Sequence, residues 1–157
     1  MIKSMAQIEI YTDGGCSGNP GPGGWAFIVS MGNELIRCSG GAAHTTNNKM
    51  ELQAVIEALK FVRRQREEQR SSIPVVLHTD SEYVRLGITS WIQKWLKNSW
   101  RTTAKKPVKN KEYWEKLKEL DDQIRPEWKW VPGHAGVELN EECDAMVQEE
   151  IRKQSEK

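Results

Sequence analysis

Tyr11-Thr12-Asp13-Gly14-Gly15 is the stretch from which the fold of this chain can be read. Leading into it, Ile8, Ile10 and Thr12 alternate with Glu9, Tyr11 and Asp13, which is the period of a β-strand. Its apolar content suits a central, covered strand. The strand ends in an acid and then in glycines, which release the chain into a loop. A carboxylate at the end of a buried strand is costly to desolvate, so it calls for a partner or a metal. A turn aspartate preceding glycine would give the same local pattern. What separates the two readings is that the pattern recurs.

Working outward, 157 residues make one domain, 1–157, with a single core over about 7–154. A net charge of +1 excludes a global basic footprint for nucleic acid, although averaging hides local ones. Cys16, Cys38 and Cys143 are widely spaced, with no Cys-x-x-Cys, which points to a reducing compartment. Residues 1–6 lack the apolar core of a signal peptide, and no apolar run is long enough to span a bilayer. The expectation is a soluble cytoplasmic protein with no membrane partner. No repeat or low-complexity segment is present.

The first strand is predicted over Gln7 to Asp13, followed by a loop from Gly14 to Gly24. That loop lacks the Gly-Lys-Ser/Thr ending of a triphosphate-binding loop. Trp25 to Met31 and Glu34 to Ala42 read as strands joined by a tight turn at Gly32-Asn33. A helix from Asn47 to Arg66 carries the apolar stripe Val55, Ala58, Leu59 and Val62. Val75 to Leu77 is a short buried strand ending at Thr79-Asp80. Strand, helix, strand suggests that it lies parallel beside the first strand. Helical patterns follow at Ser81 to Leu86, Ser90 to Lys97 and Lys111 to Leu120, then a fifth strand at Trp128 to Val131. Pro132 to Gly136 reads as a loop. The last helix, Asn140 to about Lys153, turns Cys143, Val147 and Ile151 inward.

Asp13 and Asp80 both follow strands, at the edge where open α/β sheets bind ligands. Glu51 is in line with Val55, Ala58 and Val62, so it points toward the sheet. A capping box with Asn48 as cap would also explain it. Asp144 shares a face with Val147 and Ile151, and a favourable charge near a helix N-terminus is its plainer explanation. Four acids on inward-facing positions of separate elements are harder to explain singly. Converged carboxylates raise one another's pKa values unless a cation holds them. Oxygen-only ligands favour Mg²⁺ or Mn²⁺, and no His/Cys cluster offers a zinc site. Two such ions suit phosphodiester hydrolysis.

Tyr-Thr-Asp-Gly-Gly at 11–15, Gly-Asn-Pro-Gly-Pro-Gly-Gly at 18–24 and Thr-Thr-Asn-Asn-Lys-Met-Glu-Leu at 45–52 resemble bacterial ribonuclease HI. So do Thr-Asp-Ser-Glu-Tyr-Val at 79–84, Gly-Ile-Thr at 87–89, Trp-Val-Pro-Gly-His-Ala-Gly at 130–136 and Asn-Glu-Glu-Cys-Asp at 140–144. The match runs in order from Gln7 to about Gln148. It implies an α/β ribonuclease H-like fold, a five-stranded mixed sheet of order 3-2-1-4-5 flanked by helices. It implies endonucleolytic cleavage of the RNA strand of an RNA/DNA hybrid by two Mg²⁺ ions, leaving 5′-phosphate and 3′-hydroxyl ends, with Mn²⁺ a possible substitute. By position, Asp13, Glu51, Asp80 and Asp144 match the metal-binding quartet. His134 matches a loop histidine that assists proton transfer or product release.

Between Glu82 and Glu112 there is no acid, while Arg85, Lys94, Lys97, Arg101, Lys105, Lys106, Lys109 and Lys111 fall there. This is a local basic footprint. Trp91, Trp95 and Trp100 are interleaved with it, either as a satellite core or as a face for sugar rings, or as both. The segment resembles the basic handle of bacterial members. The resemblance makes Tyr83, Trp91, Trp95 and Thr103 a DNA channel, and Thr46 and Asn110 a DNA phosphate pocket. Cys16, Asn19, Asn47 and Asn48 match minor-groove contacts, where the 2′-hydroxyl distinguishes RNA. Glu82 stands where many relatives carry glutamine, and Leu96 and Asn98 replace basic residues. Lys105 and Lys106 are the handle cations expected to set affinity. A minimal, monomeric enzyme without an obligate protein partner is expected. A DNA-directed nuclease or strand-transfer enzyme on the same fold, and a non-catalytic hybrid-binding module, are the competing readings. The handle and the Thr-Asn-Asn segment weigh against the first, and the full set of acids against the second.

Overall fold

The alternation around Tyr11 becomes the centre of a five-stranded sheet. In the computed structural model, which describes residues 7–70, 72–131 and 138–156, β1 (Ile8–Cys16) lies antiparallel to β2 (Gly21–Met31). β2 in turn pairs antiparallel with β3 (Glu34–Thr45). On its other side β1 runs parallel to β4 (Val75–Thr79), and β4 parallel to β5 (Glu127–Trp130). The order is β3-β2-β1-β4-β5, as expected.

β1 does not stop at Asp13. It continues through Gly14↔Trp25 and Gly15↔Gly24 to Cys16↔Gly23, so the expected loop from Gly14 to Gly24 is mostly hairpin. Gly18, at φ 76, makes the turn, but Gly14 and Gly24 are there for close approach. A Cβ on Gly14 would fall 2.4 Å from the carbonyl of Met50, and one on Gly24 2.7 Å from Cβ of Glu150. On the parallel side, the last β1–β4 pair is Tyr11↔His78. Asp13 therefore clears the sheet there even though its strand goes on.

α1 (Asn47–Gln69) packs on β1 and β2 and buries Met50, Leu52, Val55, Leu59 and Val62. Its cap is Thr46, whose hydroxyl accepts from the Lys49 N–H at 3.2 Å, so the alternative reading of Asn48 as cap with Glu51 in a capping box does not hold. α2 (Glu82–Leu86) and α3 (Ile92–Lys97) are joined through a π-helical turn, Gly87–Trp91. A Cβ on Gly87 would lie 2.0 Å from the Trp114 ring. α4 (Lys111–Ile124) supplies that ring, along with Leu117 and Leu120, to the main core. α5 (Glu138–Ser155) packs on β1, β2 and β3. A second, smaller core of Tyr11, Ile28 and Cys143 forms with Leu139 and Met146 of α5. Cys143 and Val147 are buried as expected, but Ile151 is only half-buried. All three cysteines are free. No helix among the described residues is long and apolar enough to cross a membrane.

Candidate active site

The four acids singled out in the sequence line one cleft of about 510 Å³. Asp13 reaches it from β1, on the same side of the strand as Tyr11. Asp80 follows the last residue of β4, and Glu51 comes from the first turns of α1. Asp144 stands in the second turn of α5, too far in for a helix-terminus explanation of its charge, since that effect fades after the first turn. Gly14 is what lets two of them meet. Its missing side chain allows the α1 backbone at Met50 and Glu51 to press on β1.

Burial, and then the charges of Asp80 and Asp144, push the Asp13 carboxyl up to about 8. Burial likewise pushes Glu51 up to about 7; a hydrogen bond from the Ser81 hydroxyl opposes the rise and the Asp80 charge adds to it. This is how carboxylates behave when forced together out of water. Among the described residues, no three such groups stand close enough to grip an ion as they are placed. The donor set is oxygen only, which suits hard divalent cations rather than zinc.

Residues 5–152 match the RNase H family. The chain belongs to that family. A curated ribonuclease H of Treponema denticola is 49% identical over 160 residues, covering 93% of this chain and 98% of its own. Among solved structures, LC9-RNase H1, described as a type 1 RNase H with the type 2 active-site motif, superposes with a TM-score of 0.79. It is 27% identical, and the match covers 98% of this chain and 76% of that one. LC11-RNase H1 in complex with an RNA/DNA hybrid matches at a TM-score of 0.68 and 28% identity, over 94% and 98% of the two chains. RNase H proteins are generally Mg²⁺-dependent.

Next to the acids, the RNase H cleft is walled by Cys16 and Asn47. The Cys16 thiol donates to the Gly18 carbonyl at 2.7 Å, and Asn19 Oδ1 accepts the Asn47 N–H at 3.0 Å. The turn after β1 is thereby tied to the start of α1. Asn48 lies elsewhere, in a groove of about 310 Å³ with Tyr83, Trp95, Lys106 and Asn110. The Tyr83 hydroxyl accepts from Asn110 Nδ2 and from Trp114 Nε1, both at 3.1 Å. Asn110 has left-handed backbone (φ 59) at the head of α4 and leaves the helix uncapped by its side chain. Trp91 meets Tyr83 edge-on at 5.8 Å and Trp95 at 6.0 Å. Trp95 and Trp100 are not a satellite, since they pack on the main core.

The expected channel divides. Thr103 and Lys105 line a cleft of about 740 Å³ with Lys97 and Arg101, which adjoins the groove of Tyr83 and Trp95 at Thr102. Lys105 takes φ 61, and its N–H donates to the Thr102 carbonyl in a turn. Neighbouring lysines 105 and 106 thus serve different surfaces. Glu82 is exposed, with its carboxylate 3.8 Å from the Arg85 guanidinium. His134 lies outside the described residues.

Sequence reasoning missed Trp114, fully buried beneath Tyr83; its stripe with Leu117 and Leu120 was the available signal. Gln148, four residues after Asp144, also walls the acidic cleft beside Val147 and Ile151, and helical spacing would have found it. Ser81 caps α2 while bonding Glu51. No sequence signal announces that double role.

Proposed function

We propose that Asp13, Glu51, Asp80 and Asp144 hold two Mg²⁺ ions in this cleft and that the RNA strand of a hybrid is cut there. The protein is a ribonuclease H, an endonuclease hydrolysing RNA in RNA/DNA hybrids. The single observation that carries the metal assignment is the convergence of the four carboxylates on one cleft; two of them, Asp13 and Glu51, are half-buried and raised to about 8 and 7 by burial and by their acidic neighbours. Such a cluster is strained when ionised, and divalent cations relieve that strain. Mn²⁺, a hard cation of similar preference, can substitute. Bound there, the ions supply a lowered water pKa and neutralise charge on the cleaved phosphodiester.

The chain's own residues do the rest. The Ser81 hydroxyl orients Glu51. Cys16 and Asn47 form the wall beside the acids, where 2′-hydroxyls are read, with Asn19 holding Asn47, and Asn48 continues it toward the second groove. His134 exchanges the proton that accompanies cleavage, and the products carry 5′-phosphate and 3′-hydroxyl ends. The Thr46 hydroxyl already accepts from Lys49, so its own proton remains to donate to a DNA phosphate together with Asn110. Tyr83, Trp91 and Trp95 face the DNA sugars. Thr103 and Lys105 contact the backbone farther out, and Glu82 borders the bases. LC11-RNase H1, a relative of the same fold, has been solved with an RNA/DNA hybrid, which supports this placement. We infer that the single domain 1–157 acts as a cytoplasmic monomer without an obligate protein partner.

The test offers labelled RNA/DNA hybrid, duplex RNA, single-stranded RNA and duplex DNA, each with Mg²⁺ or with chelator. Cleavage confined to the RNA of the hybrid, and only with Mg²⁺, is the expected result. Cleavage of duplex DNA, or cleavage that persists in chelator, contradicts the proposal.

A further inference from the structure

We propose that Arg85 and Trp130 form a positioning pair that fixes the Asp80 carboxylate. By charge alone Arg85 belongs with the handle cations, but it is placed differently. Its guanidinium carbon lies 4.6 Å over the Trp130 ring, and its Nη2 is 3.8 Å from Glu82. Its Nε is buried with no hydrogen-bond partner among the described residues. A guanidinium so engaged is turned onto the protein rather than out toward a phosphate. Among the described residues, Trp130 is one of few large apolar side chains that stay well exposed, at 42%. Arginine stacks on such a face because the ring's quadrupole attracts the cation.

The contact matters because of what it closes. Trp130 is the β5 partner of Thr79, and the Val131 N–H donates to the Thr79 carbonyl at 2.8 Å. Asp80 comes next, and then Ser81, whose hydroxyl caps the helix that carries Arg85. Thr79 Oγ1 accepts the Ser81 N–H at 3.1 Å. Thr79, Asp80, Ser81, Arg85 and Trp130 therefore make a closed circuit, with Asp80 on its inner turn. If Arg85 lets go, α2 can shift about its cap, and Asp80 moves with it. The inference rests on Asp80 being a metal ligand.

The experiment uses the full chain with Arg85→Ala, Arg85→Lys, Trp130→Ala, Trp130→Phe and the double alanine variant. Steady-state hybrid cleavage is measured at several salt concentrations, and Mg²⁺ binding without substrate by calorimetry. Both single alanine variants should lower kcat by about 10-fold, because small misplacements of a reacting group are costly. KM and the salt dependence should hold, and Mg²⁺ should bind more weakly. Trp130→Phe should recover most of the rate, and the double variant should be no worse than either single one. A raised KM and a flatter salt dependence at unchanged kcat would make Arg85 a phosphate contact and overturn the pair. Independent, additive losses would also overturn it. Asp80→Asn, run in parallel, keeps the two readings apart. Were that variant still active, the metal assignment would fall. An inactive Asp80→Asn beside full-rate Arg85→Ala and Trp130→Ala would sink the positioning pair alone.

Discussion

The acidic cleft and the basic grooves are built on opposite plans. The cleft takes its side chains from β1, from the end of β4 and from two long helices, and two of its carboxyls are buried enough to be pushed to about 8 and 7. Apart from Asn48 of α1, the grooves take theirs from α2, α3 and the segment up to α4, where Ser99, Trp100, Lys105 and Asn110 all have positive φ. One region fixes charge against its own repulsion; the other spreads charge over an exposed surface. The difference teaches where chemistry and affinity are kept. Substitutions in the cleft should change rate, and substitutions in the grooves should change binding and its salt dependence.

The strongest way to break this division is to remove a cleft charge. Asp13→Asn or Asp80→Asn should lower hybrid cleavage by about 10³-fold or more, given the size of electrostatic terms at reacting centres. Without metal, neither variant should melt below the parent, because the amide also removes repulsion. Robust cleavage by both would remove the quartet from the mechanism. His134→Ala comes next. A positioned acid–base group contributes roughly 10²–10⁴-fold, and water can replace part of it, so the loss should fall at or below the lower end. Calorimetry should find Mg²⁺ affinity unchanged; lost binding would make the histidine a ligand.

Sharpening the comparison on the basic side needs smaller effects. Lys106 shares the groove of Tyr83, Trp95 and Asn110, whereas Lys105 lines the outer cleft. Lys106→Ala should therefore raise KM more than Lys105→Ala, with kcat within a few-fold for both. A lost phosphate contact should flatten the log–log salt slope by about 0.9, as for duplex DNA. Equal, negligible shifts in both variants would show that the hybrid is held elsewhere.

Much of the cleft was legible because strand ends and helix faces leave a periodic trace. Glu51 falls in register with Val55, Ala58 and Val62, and Asp144 with Val147. That β4 lies parallel beside β1 could be anticipated from the same elements, and the full strand order from the resemblance to ribonuclease HI. What stayed hidden depends on three-dimensional approach. Gly14 and Gly24 read as a loop because glycine is a turn signal in isolation, yet they mark where α1 and α5 press on continuing strands. Gly87 and Trp114 are 27 residues apart, and neither one announces the other. The divergence of Lys105 from Lys106 comes from one left-handed residue, which charge patterning does not encode. Arg85 counted as a handle cation for the same reason.

The central claim is that four acids share one cleft under repulsion that a divalent cation relieves. Thermal melting against pH, with and without Mg²⁺, tests it most directly. Asp13 and Glu51 hold protons in the folded state up to about pH 8 and 7, well above the unfolded carboxyl range. The folded state thus binds more protons than the unfolded one in between, and metal-free stability falls as pH rises through that window. The metal-free parent should melt lower near pH 8.5 than near pH 5.5, Asp13→Asn should show a weaker fall, and Mg²⁺ should raise the parent's Tm mainly at the higher pH. A pH dependence identical in parent and Asp13→Asn, with no Mg²⁺ effect in either, would contradict the claim.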